Sequence, residues 1–129
     1  MADNYLHTEI TRLIIKAFFQ VYNSLGYGFL ESVYRRALFA ELKEYGLECT
    51  EHLPIKVYYK GLDVGLYFAD IIVNDCVIIE TKAASALCPE HEMQLVNYLK
   101  ATDIEVGLLL NFGEIPQFKR KVFTAKFKN

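Results

Sequence analysis

Two apolar runs, joined by a short polar turn, each carry a carboxylate where a strand would bury it. They are Phe68-Ala69-Asp70-Ile71-Ile72 and Val77-Ile78-Ile79-Glu80-Thr81-Lys82, with Asn74-Asp75 between them. Burying an ionised side chain without a partner is costly, so a fold of this chain must compensate Asp70, Glu80 and Lys82. Side chains alternate along a strand, which puts Glu80 and Lys82 on one face and turns Thr81 away. Register decides whether Asp70 joins them. A two-residue turn at Asn74-Asp75 would pair Asp70 with Ile79 and send Glu80 to the opposite face. An odd connection such as Asn74-Asp75-Cys76, or a β-bulge, sets Asp70 opposite Glu80.

If the carboxylates meet, a hard cation is the natural compensation. Asp70 and Glu80 would hold Mg²⁺ or Mn²⁺ through oxygen, aided by the Thr81 carbonyl, with waters and a substrate phosphate completing the shell. Lys82 could orient the attacking water or neutralise charge developing on a phosphate. The competing explanation is a buried carboxylate–lysine ion pair with a purely structural use, and spacing alone does not separate the two.

The surrounding pattern supplies the frame. Apolar residues from Ile10 to Leu25 recur at helical spacing, with Thr8 as the expected N-cap and Gly26 as the stop. A second helix is expected from the set Leu30, Val33, Tyr34, Ala37, Leu38 and Leu42, closed by Gly46. Alternation then takes over: Ile55, Val57 and Tyr59 stand against Lys56, Tyr58 and Lys60, and Lys60-Gly61 reads as a turn into a strand over Leu62 to Val73. With Cys76 to Lys82 this makes a three-stranded antiparallel meander. Pro89, Glu90 and Glu92 suit the start of a third helix running through Tyr98 and Lys100. The continuous run Val106-Gly107-Leu108-Leu109-Leu110 reads as a central strand, parallel to one of the meander strands through a crossover. Gln117 to Asn129 is basic without an acidic residue and reads as an edge strand or a basic grip.

With 129 residues, 53% of them hydrophobic and 23% charged, the chain is expected to form one domain spanning 1–129. The net charge of -2 argues against a basic, non-specific nucleic-acid coat, although it leaves room for an acidic pocket beside a basic strip. Cys49, Cys76 and Cys88 lack zinc spacing and read as reduced thiols. Residues Met1 to His7 lack a signal pattern and no apolar run approaches the ~20 residues that span a bilayer, so a cytoplasmic protein without membrane contact is expected. His7 and His52 have no matching partner, and Phe18, Phe19 and Tyr22 read as core.

The motif Gly28-Phe29-Leu30-Glu31-Ser32-Val33-Tyr34 resembles the one that names the GxxExxY family, a group within the PD-(D/E)XK nuclease-like superfamily. Ala69-Asp70, Glu80-Thr81-Lys82, Gln94 to Leu99 and Gly107 to Gly113 are similar to it in order and spacing, so the resemblance covers nearly the whole chain. Ala69 stands where the superfamily's name has Pro, but the chemistry needs the carboxylate. The resemblance implies an α/β fold with a restriction-endonuclease-like core, and a metal-dependent nuclease acting on DNA or RNA. It implies Asp70, Glu80 and Lys82 as the catalytic set, Glu31 as an additional acid, and Gln94 and Tyr98, four apart on one helix face, in support, with His91 one turn earlier. A homodimer would suit the cutting of two strands. The alternative function is a non-catalytic interaction or nucleic-acid-binding module that retains the nuclease fold.

Overall fold

The protein is described by a computed structural model covering residues 6–124. The expectations for residues 1–5, and for Lys126, Phe127 and Lys128 of the basic tail, lie outside the described residues.

Helix α1, Thr8–Leu25, buries Ile14, Ala17, Phe18 and Val21, the i, i+3, i+4 face read from the sequence. His7 occupies the N-cap position in a left-handed conformation (φ 55°), so the expected cap, Thr8, is instead the first helical residue. Gly26 (φ 69°) ends the helix, its N–H donating to the Tyr22 carbonyl at 2.8 Å. Helix α2, Glu31–Glu44, buries Tyr34, Leu38 and Leu42. Leu30 and Val33, expected in the core, are exposed. Leu30 is the extended N-cap, before the helical stripe begins, and Val33 lies about a quarter-turn off the line of Tyr34, Leu38 and Leu42.

Among the described residues five strands form one sheet in the order β1-β2-β3-β4-β5: β1 Cys49–Tyr59, β2 Leu62–Val73, β3 Val77–Lys82, β4 Val106–Asn111 and β5 Gln117–Val122. The first three are the expected antiparallel meander. Helix α3, Pro89–Lys100, carries the chain across to β4, which lies parallel to β3 with all six residues buried. β5 pairs antiparallel with β4 as an edge strand, so the basic segment is part of the sheet through Val122.

Each face of the sheet has its own core. Ile71, Val73, Val77, Ile79, Leu108 and Leu110 pack under α1 and α2. Ile72, Ile78 and Leu109 pack against Leu95, Tyr98 and Leu99 of α3, together with Ile55 and Ala69. Strict alternation would place Ala69 with Ile71. The face changes between them, at Asp70, where the opposing strand passes through His52 with a positive φ of 53°. Past Ile55 and Ala69 the β1–β2 hairpin leaves the core, so the expected alternation holds for buried Ile55 but not for Tyr59, which is 62% exposed.

Two glycines allow close approach. A Cβ on Gly107 would stand 2.6 Å from Leu95 Cδ1, so Gly107 lets α3 lie tightly on β4. A Cβ on Gly113 would stand 2.5 Å from the Ala84 carbonyl, which is backbone and cannot rotate away. Asn111, fully buried, clasps the same segment by accepting from Ala84 N–H at 2.9 Å and donating to its carbonyl at 3.0 Å. Gly113→Ala is therefore expected to lower stability by about 1–3 kcal/mol, read as a lower denaturant midpoint at unchanged slope.

Candidate active site

The connection between β2 and β3 meets the register condition. Asn74 and Asp75 both have positive φ (51° and 54°), and Cys76 N–H donates to the Val73 carbonyl at 3.0 Å, as in a two-residue turn. The ladder nevertheless resumes at Val73–Val77, followed by Ile72–Ile78 and Ile71–Ile79. Cys76 is the extra residue, and the register carried one step further sets Asp70 opposite Glu80.

At that step backbone pairing gives way to the side chains. Asp70 N–H donates to Glu80 Oε2 at 2.9 Å. Thr81 N–H and Thr81 Oγ1 both donate to Asp70 Oδ2, at 2.8 and 3.0 Å. Thr81, expected to point away from the carboxylates, thus reaches Asp70 through both its backbone and its hydroxyl. The N–H and C=O of one extended residue face the same neighbouring strand, so the Thr81 carbonyl also lies on the Asp70 side.

Lys82, half-buried, extends to Gln94 of α3, donating to its Oε1 at 3.5 Å, and Gln94 Nε2 donates in turn to the Tyr98 hydroxyl at 3.0 Å. The ion pairs among the described residues are Arg12–Glu9, Arg35–Glu51, Lys56–Asp63 and Lys121–Glu92. None closes on Asp70, Glu80 or Lys82, so a structural carboxylate–lysine bridge, the competing explanation from the sequence, is not formed.

Glu31 opens α2 at the edge of this group. Burial pushes its carboxyl above the usual range, the Lys82 ammonium opposes that shift and the Asp70 charge adds to it. It is held there by the residue that closes its motif. The Tyr34 hydroxyl donates to the Gly26 carbonyl at 2.6 Å and accepts Phe29 N–H at 3.1 Å, while its ring stacks on Phe112 at 4.5 Å. The α1–α2 loop, with Gly28 at φ 109°, is thereby tied to the sheet. His91 acts locally, its Nδ1 accepting Cys88 N–H at 3.3 Å to cap α3. Sequence reasoning left Asn111 and Gly113 without roles. The two fix the segment that follows Lys82, and a polar Asn inside the apolar run of β4 was the available signal.

Glu80 is 4% exposed, and its carboxyl is pushed up to about 8, first by burial and then by the Asp70 charge, against the backbone hydrogen bond and Lys82 that favour ionisation. Tyr98 is raised to about 12 by burial and by the same negative field from Glu80. Such a field suits a cation. Among the described residues no three His, Cys, Asp or Glu side chains form a complete cage for a metal. Two carboxylates and a carbonyl nevertheless match Mg²⁺, which keeps several waters and is commonly held by one or two carboxylates and substrate phosphate. The donor set therefore fits a hard divalent ion.

The comparisons agree with this architecture. The family profile described as the PD-(D/E)XK nuclease superfamily matches residues 8–123. The chain belongs to that superfamily. No curated protein matches the sequence. Among solved structures, SSO0001 is similar at TM-score 0.56 and 20% identity, over 73% of this chain and 50% of that one. An alkaline exonuclease from Laribacter hongkongensis is similar at TM-score 0.51 and 16% identity, over 70% of this chain and 54% of that one. The chain thus spans about half the length of either structure, and at these identities the likeness is one of fold.

The raised Glu80 carboxyl makes metal-free stability depend on pH. The unfolded carboxyl titrates near 4.5 and the folded one near 8, so its contribution is fully present below the lower value and is lost as pH rises through the higher. In chelator, the melting temperature is expected to fall between about pH 5 and 8, at a cost on the order of a few kcal/mol. Glu80→Gln should flatten that fall, and an unchanged profile in the variant would contradict the assignment.

Proposed function

We propose that this chain is a divalent-metal-dependent nuclease that hydrolyses phosphodiester bonds of DNA or RNA, as one nuclease-like domain. The carrying observation is the meeting of Asp70 and buried Glu80 at the open end of the β2–β3 ladder, beside Lys82 and without an ion-pair partner among the described residues. In this reading Asp70, Glu80 and the Thr81 carbonyl hold the ion. A bound Mg²⁺ or Mn²⁺ would polarise the scissile phosphate and acidify a water.

Each protein group then has a defined role. Asp70 and Glu80 are already fixed by hydrogen bonds to backbone N–H groups, so little reorganisation precedes substrate binding. Lys82, held toward the site by Gln94, stabilises negative charge as water adds to phosphorus and the ester P–O bond breaks. Glu31, whose carboxyl is raised, supports that water or a second carboxylate–cation contact. Gln94 and Tyr98 position Lys82. The place of Glu31 and Tyr34 in one helical turn, with Gly28 before it, supports assignment to the GxxExxY branch. Three free thiols are in keeping with a reducing, cytoplasmic compartment. Among the described residues no helix is long and apolar enough to cross a membrane.

Millimolar Mn²⁺ should raise the melting temperature of the wild type and leave Asp70→Asn unchanged. Incubation with labelled DNA and RNA should give cleavage that falls by at least about 10²-fold in Lys82→Ala. Metal stabilisation without cleavage would move the reading to a binding module that retains the fold, and neither effect would remove the metal site altogether.

A further inference from the structure

Past Ile55 the β1–β2 hairpin bends away from the core and stands beside α3, and the two enclose an open cleft of about 1060 Å³. Its walls include Lys56, Tyr58 and Tyr67 from the hairpin and Asn97, Tyr98 and Lys100 from α3. Tyr58 is 60% exposed and Tyr67 48%, so two large aromatic faces look into solvent along a concave surface. The Tyr67 ring lies 5.7 Å from that of Tyr98, which continues the aromatic wall inward. Gln94 also lines the cleft, and it accepts the hydrogen bond from Lys82. The cleft is therefore one hydrogen bond away from Lys82, through the Gln94 side chain in its wall.

We propose that this cleft holds an unpaired strand of nucleic acid, with bases stacked on Tyr58 and Tyr67 and phosphates near Lys56 and Lys100. The inference rests on the reading of Asp70, Glu80 and Lys82 as the cutting centre, which it supplies with a substrate class. Three observations favour a single strand over a duplex. Aromatic faces can stack only on bases that have left the duplex stack, and such stacking is indifferent to sequence. A duplex is gripped chiefly through phosphate neutralisation, which a chain of net charge -2 supplies poorly. The lysines of the cleft are few and partly engaged, Lys56 with Asp63 at 4.0 Å and Lys100 over the Phe123 ring at 5.7 Å. Stacking must therefore provide much of the affinity.

The test is fluorescence anisotropy in EDTA, where no cleavage occurs, with a labelled mixed-sequence 16-mer of DNA offered as a single strand and as its duplex. The single strand should bind more tightly. Tyr58→Ala and Tyr67→Ala should each weaken it by about 5- to 150-fold, with duplex binding little changed. Raising NaCl from 50 to 200 mM should weaken single-strand binding only about sevenfold, the loss expected for two lysine–phosphate contacts. Circular dichroism and size-exclusion chromatography of both variants control for folding and assembly. Duplex preference, insensitivity to both substitutions, absence of binding, or a change of oligomeric state in the variants would each overturn the proposal. Cleavage in Mn²⁺ without tyrosine-dependent binding would remove the cleft and leave the nuclease. Tyrosine-dependent binding without cleavage would do the reverse.

Discussion

The exchange of hydrogen bonds between Asp70, Glu80 and Thr81 is the constraint on which the rest depends. It ends the β2–β3 ladder by substituting carboxylate oxygens for backbone carbonyls. A regular ladder would have closed this edge, and both acids would have remained side chains on a sheet surface. Here the strands separate, and the acids satisfy the N–H groups that separation exposes. One arrangement thus meets the demand that buried polar groups be paired and collects two carboxyl groups at one point.

That geometry also explains the division of the sheet. Up to Val73 and Val77 the strands are sandwiched between helices, and their apolar residues divide between two cores. At Asp70 the faces exchange, and past Ile55 and Ala69 the hairpin departs. The bend separates a packed half, which supplies stability, from an outlying half, which forms a cleft wall. The scaffold around the bend is held by tight contacts: Gly107 under Leu95, Gly113 against Ala84, and Tyr34 across the α1–α2 loop. Each places an element of the candidate site: α3 with Gln94, the segment after Lys82, and the helix start that carries Glu31.

Much of this was legible in the sequence. Helical spacing marked α1 and α2, Pro89 with Glu90 and Glu92 marked the start of α3, turn residues marked both hairpins of the meander, and the apolar run of β4 marked a strand covered on both faces. These features are local, and the principles that produce them act over a few residues. The reading failed where position depended on a neighbour. Leu30 and Val33 look like core by composition but lie outside the stripe of α2. Tyr59 alternates correctly but belongs to a part of the hairpin with no helix above it. Thr8 is a good cap by type, yet His7 takes that place through its left-handed backbone.

The sequence by itself determined that two carboxylates and a lysine had to be accommodated within apolar strands, because no strand can bury such charges unaided. It also reduced the question of their meeting to the parity of one connection. Only the tertiary structure decided that parity. Asn74 and Asp75 make the same turn whether the ladder resumes at Cys76 or at Val77. The extra residue is set by packing: Val73, Val77 and Ile79 must reach the core under α1 and α2 while Ile72 and Ile78 reach the core under α3. A one-residue slip would reverse both faces, so burial of the apolar residues is what brings Asp70 to Glu80.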